Sequence, residues 1–220
     1  MPTSESTCWT VIRAAAAGSA ADRDELARRY LGVVRAYLAA RWRDSALRPD
    51  LDDAVQEVFV ECFRQGGALE AAGAGRVPSF RAFLYGVVRN VARRFESRPV
   101  RAAGPLPDVA AEEETLSRLF ERTWAQAVMA EAARLQRRRA EQRGPEAVRR
   151  VELLRLRFED DLPIRTIAER WGVPAAPLHH AYALARQEFR EALLEVVTFH
   201  HPGSPAEVEQ EAAGLLKSLS

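Results

Sequence analysis

The chain has 220 residues, 47% hydrophobic and 29% charged, with a formal net charge of +1, enough apolar material for two small folded domains or one larger one. Basic residues are almost all arginine, Lys217 being the only lysine, and near-balance of charge implies basic and acidic surfaces separated along the chain, suited to a polyanion and a protein partner. Cys8 and Cys62 lack CxxC spacing, which argues against a disulfide framework or zinc site and for a reducing compartment. The amino terminus has no basic n-region and the run Ala14 to Ala17 is too short for a signal core or membrane span, so a cytoplasmic protein is expected.

In chain order, Asp22 with Glu25 three residues on reads as a capping box, followed by a helical stripe of Leu26, Tyr30, Val33, Val34, Tyr37 and Trp42. A first helical hairpin is expected, with Trp9 and Ile12 packing before it. After a turn around Pro49, Leu51, Ala54, Val55, Val58, Phe59, Cys62 and Phe63 give the cleanest amphipathic pattern in the chain, with Asp50 or Asp52 as cap. Residues 65–79 are rich in glycine and alanine and read as a long loop.

The next segment, Phe80 to Phe95, writes two stripes on one helix. Phe80, Phe83, Leu84, Val87, Val88, Val91 and Phe95 make the core face, and Arg81, Tyr85, Arg89, Asn90, Arg93 and Arg94 occupy the rest. From Arg76 to Arg101 seven arginines face one acid, Glu96, a local excess that points to nucleic acid. The prolines and glycine of residues 98–108 mark a linker.

Beyond it, Leu116, Leu119, Phe120, Thr123, Trp124, Val128 and Leu135 keep an apolar face until Gly144-Pro145. A helix with Val148, Val151, Leu154 and Phe158 follows, another begins after Pro163, and a last long helix runs from about Pro174 to Thr198. The acidic tail from Glu207 to Glu211, with Leu215, Leu216 and Leu219, is expected to form a short amphipathic helix that packs back, with docking to a regulator as the alternative. No strand-like alternation occurs, so the fold class is all α: two small helical domains, 1–98 and 113–198, joined by a linker at 99–112 and followed by a tail at 199–220.

The segment Ile164 to Ala183 meets the demands of a helix-turn-helix: small Ala168 at the crossing, Gly172 in the turn, and apolar Ile167, Val173, Leu178 and Ala181 closing a small core. Asp52, Asp53, Gln56 and Glu57 give the earlier amphipathic helix an acidic, hydrogen-bonding side, with Val60 one turn on, fit for a basic partner. The pairs His179-His180 and His200-His201 do not have the i,i+4 spacing that chelation on a helix favours, so no metal or other cofactor is expected. No phosphate loop, nucleophile elbow or spaced carboxylate pair argues for an enzyme.

Taken together, the chain resembles a bacterial RNA polymerase sigma factor of the sigma-70 family, extracytoplasmic-function type, over nearly its whole length. Asp52-Asp-Ala-Val-Gln-Glu-Val-Phe-Val60 is similar to the helix with which such factors grip the polymerase, and Phe80 to Ala92 to the helix that reads and opens the −10 promoter element. Phe120-Glu-Arg-Thr-Trp124 and the stretch from Val196 resemble a Planctomycete-like subgroup. The resemblance implies that residues 1–98 are a region 2-like domain and 113–198 a region 4-like domain. It also implies that Asp52, Asp53, Gln56, Glu57 and Val60 meet the β′ clamp helices of core RNA polymerase. Arg81, Tyr85, Arg89, Asn90, Arg93 and Arg94 would then meet −10 DNA, with the loop at 65–79 holding a flipped base.

In the second module Arg165, Thr166, His179, His180, Tyr182 and Arg186 are the candidates for a −35 element. The pattern departs from the family there, because no lysine or arginine stands between Pro174 and Ala185 and neutral histidines attract phosphate weakly. Promoter DNA and core polymerase are the implied partners, an anti-sigma protein is left open, and no membrane is involved. A helix-turn-helix regulator that never engages polymerase is the alternative.

Overall fold

The computed structural model describes residues 8–64, 79–97, 109–201 and 203–219, and every regular element among them is helical. Residues 65–78 of the loop expected at 65–79, residues 98–108 of the expected linker and the side chains of Trp9 and Ile12 lie outside the described residues. Among the described residues no helix is long and apolar enough to cross a membrane. Two compact units emerge: residues 1–127 with 197–220, and residues 128–196. Residues 113–127, read from sequence as the start of the second domain, and the carboxy-terminal tail thus cluster with the first unit.

In the first unit α1 (Cys8–Ala16) and α2 (Ala20–Arg41) are joined through Gly18, whose φ of +106° suits a residue without Cβ. The cap of α2 is Ser19, not Asp22: the Ser19 hydroxyl accepts the Asp22 N–H at 3.3 Å and donates to the Asp22 carboxylate. Ser19-Ala-Ala-Asp22 is itself a capping signal, and two alanines extend the helix back to it at little cost. The expected stripe is the buried one, since Leu26, Tyr30, Val33, Val34, Tyr37 and the following Trp42 are all in the core.

A single 3₁₀ turn (Arg48–Asp50) then leads into α3 (Leu51–Phe63). Asp50 holds the N-cap position without a side-chain cap hydrogen bond, while Asp52 and Asp53 lie in the first turn, where the helix dipole favours them. Helix α4 (Phe80–Glu96) is capped by Ser79, whose hydroxyl accepts the Ala82 N–H at 3.2 Å. Its seven expected core residues are all buried, together with Ala92.

Helix α5 (Val109–Arg143) brings Leu116, Phe120 and Trp124 into this unit, where Trp124 stacks on Tyr30 at 5.4 Å between ring centroids. The end of α8 (Ala175–His200) places His200 beside them; its Nε2 lies 2.6 Å from the Tyr30 hydroxyl. The tail forms α9 (Pro205–Lys217), started by a complete capping box of Ser204 and Glu207, with Val208, Ala212 and Leu215 buried. Leu216, expected on the apolar face, is exposed.

In the second unit α6 (Pro145–Phe158) starts with proline in its first turn after Gly144, and α7 (Ile164–Trp171) and α8 follow. Ala147, Leu153, Leu154 and Leu156 form the buried face of α6, whereas Val148 and Phe158, apolar residues of the expected helix, are exposed. The reason is packing: Leu153 and Leu156 join Ile164, Ile167, Ala168 and Leu178 in one cluster, and that cluster selects the face. Gln136 donates to the Ala185 carbonyl at 2.9 Å in a buried position, and Glu188 takes Arg150 at 2.6 Å and Arg143 at 3.4 Å.

Candidate nucleic-acid interface

Helix geometry places Asp53, Gln56, Glu57 and Val60 at i, i+3, i+4 and i+7, hence along one face of α3. Asp53 and Gln56 are exposed, and Val60 is 53% exposed, an apolar spot amid polar neighbours. Asp52 is bound to Arg35 of α2 at 2.5 Å. Glu57 is not a freely projecting acid, because it pairs with Arg94 of α4 at 3.2 Å, and Arg94 also reaches Glu61 at 3.2 Å. The acidic and basic surfaces expected from sequence therefore adjoin and share an ion pair.

The rest of the α4 arginine stripe is also engaged. Arg81 lies 3.1 Å from Glu121 of α5 and 3.1 Å from Glu211 of α9. Arg89 reaches Glu113 of α5 at 2.9 Å, and Arg93 reaches the same carboxylate at 3.7 Å. Arg41, at the end of α2, meets Glu113 at 2.9 Å and grips Glu96 through two nitrogens at 2.6 and 3.0 Å. Trp42 Nε1 donates to Glu96 at 2.9 Å, so the carboxylate between the helices is well satisfied. Asn90 is exposed. Tyr85, expected to stack on an unpaired base, is half-buried with its ring 5.0 Å from that of Phe120 and 5.8 Å from that of Tyr37.

These contacts set the protonation of the acids. Burial works to raise the Glu113 carboxyl, but the Arg41 hydrogen bond and the charges of Arg41, Arg89 and Arg93 override it and hold the group below its ordinary value. Glu121 moves the other way: burial raises it, Arg81 only partly offsets that, and nearby Glu211 adds to the rise. Burial pushes the Tyr37 hydroxyl up to about 12 against the pull of Arg41.

In the second unit α7 ends at Gly172, whose φ of +62° is left-handed, and the Val173 N–H closes onto the Ala168 carbonyl at 3.1 Å. Ala168, Ile167 and Leu178 are buried around this turn, and Trp171, Ala181 and Tyr182 pack against them half-buried. His179, His180 and Arg186 are exposed, Thr166 is half-buried, and exposed Arg165 pairs with Glu169 at 3.4 Å.

No family model and no curated protein matches the chain. The resemblance to sigma factors therefore rests on the residues quoted for it. Among the described residues no group of three His, Cys, Asp or Glu comes together as a metal site. Sequence reasoning missed Arg41, Glu96, Glu113, Glu121 and Glu211 as parts of the α4 face. The acidic runs at 112–114 and 207–211 were visible signals, but nothing local to them says which arginines they meet.

Proposed function

We propose that this chain is a sigma factor: it binds core RNA polymerase through α3, and uses α4 to recognise and open promoter DNA at the start of transcription. The observation that carries the reading is the adjacency of two unlike faces on packed helices. Asp53, Gln56, Glu57 and exposed Val60 lie on α3, and four arginines lie on α4, tied together by Glu57 and Arg94. Guanidinium groups suit phosphate recognition, and Asn90 is open to a base edge. Opening DNA costs about 1.4 kcal/mol per base-pair step, so binding that favours the single strand can drive it without nucleotide hydrolysis. The chain is on this reading a cytoplasmic binding protein, and the polymerase supplies catalysis.

The left-handed Gly172 between α7 and α8 supports a DNA-binding helix-turn-helix in the second unit. That geometry alone would equally serve a regulator acting without polymerase; the α3 face separates the two readings. Co-elution with bacterial core RNA polymerase on a sizing column tests it, with Asp53→Lys and Glu57→Lys as the paired control. Co-elution lost in the charge reversal is expected. No complex with the wild-type chain would leave the stand-alone regulator.

A further inference from the structure

The α4 arginines hold carboxylates from three sources. Glu57 and Glu61 lie on neighbouring α3, but Glu113 and Glu121 come from α5 and Glu211 from the carboxy-terminal α9. Glu113 draws three guanidinium groups onto one carboxylate, those of Arg41, Arg89 and Arg93. Two carboxylates share the guanidinium of Arg81. A carboxylate paired with a guanidinium neutralises the same charge that a phosphate would. The two ligands therefore compete for the same cations.

From this we propose that Glu113, Glu121 and Glu211 stand in for nucleic-acid phosphates, so that this conformation closes the α4 face to single-stranded DNA until those acids withdraw. The proposal rests on the nucleic-acid reading of α4. Magnitudes favour a threshold over a lock. Arg93 is 50% exposed, and Arg81 and Glu211 are each 27% exposed, so solvent screens the outer pairs, while Glu113, 16% exposed and also held by Arg41, is the firmest of the three acids. A strand carrying one charge per nucleotide meets several arginines at once and can displace them together. Withdrawal means that these side chains turn off the guanidinium groups, because buried Phe120 and Trp124 hold α5, and Val208, Ala212 and Leu215 hold α9, in the core of the unit.

The test uses the full chain, a fluorescein-labelled oligothymidylate and fluorescence anisotropy at low salt. The variant Glu113→Gln/Glu121→Gln/Glu211→Gln keeps side-chain shape and is expected to bind about five- to twentyfold more tightly than wild type. A control with the same change in net charge, Asp24→Asn/Asp44→Asn/Glu114→Gln, removes exposed acids that make no ion pair with α4, Glu114 pairing instead with Arg118, and should gain far less. The pair Glu121→Gln/Glu211→Gln, which leaves the Arg41 network intact, guards against misfolding of the triple variant and should show part of the gain. Adding Arg81→Ala, Arg89→Ala and Arg93→Ala to the triple variant should abolish it. Equal affinity of the triple variant, the pair and the charge control would overturn the proposal while leaving the nucleic-acid reading standing. Failure of every form to bind the oligonucleotide would overturn both.

Discussion

Two regions with a claim on DNA differ in how their charge is held. Helix α4 carries most of the arginine the sequence assigns to phosphate, yet Arg81, Arg89, Arg93 and Arg94 all meet carboxylates of their own unit. The first half of α8 has almost no formal charge, yet His179, His180 and Arg186 stand exposed. A count of arginines therefore measures potential for binding, and the tertiary pairing sets how much of it is available. The two regions are also stabilised differently: α4 is tied by ion pairs around a buried stripe, whereas α7 and the start of α8 are held by a small apolar cluster and one left-handed turn.

The largest effect that would break this contrast is at Arg41. It is 12% exposed and serves both Glu96 and Glu113, so Arg41→Ala strands two carboxylates in a partly dry site and should cost about 3 kcal/mol in urea unfolding. A loss below about 0.5 kcal/mol would mean the network is as weak as an ordinary surface pair. On the other side, Gly172→Ala meets no neighbouring atom but must keep φ at +62°, which should cost about 1 kcal/mol. A neutral outcome would show that the turn relaxes and is not what sets the α7 to α8 angle.

The smallest effect is in pH, and it sharpens the picture of α4. Glu113 has a lowered folded-state pKa, so its contribution to stability is present above the unfolded value and is lost as pH falls through the folded one. Glu121 has a raised pKa, so its ionisation opposes folding at neutral pH, and that penalty fades as acid protonates it. Urea midpoints across the carboxylate range should therefore fall at neutral pH for Glu113→Gln and rise for Glu121→Gln, both converging on wild type in acid. Shifts of the same sign would show that the two acids do not occupy opposite electrostatic situations.

Much of the fold was legible because helical periodicity is local. The stripes from Leu26 to Trp42 and from Phe80 to Phe95 were read from spacing alone and are buried as expected. Helix edges were less legible: Ser19 and Asp22 both suit a cap, and only the extent of the helix chose between them. Which apolar residues of α6 are buried was not legible at all, since Val148 and Phe158 are as apolar as Leu153 and Leu156 yet stand exposed.

The sequence by itself determined the all-helical class, the apolar stripes, the acidic side of α3 and the arginine side of α4, since each depends on residues within a few turns of one another. Tertiary structure alone decided that Glu211 reaches Arg81 across 130 positions of chain, that one carboxylate gathers Arg41, Arg89 and Arg93, and that His200 rests on Tyr30. Long-range charge pairing leaves no periodic trace, because a glutamate is equally acceptable on any wet face, and packing chooses which guanidinium stands opposite it.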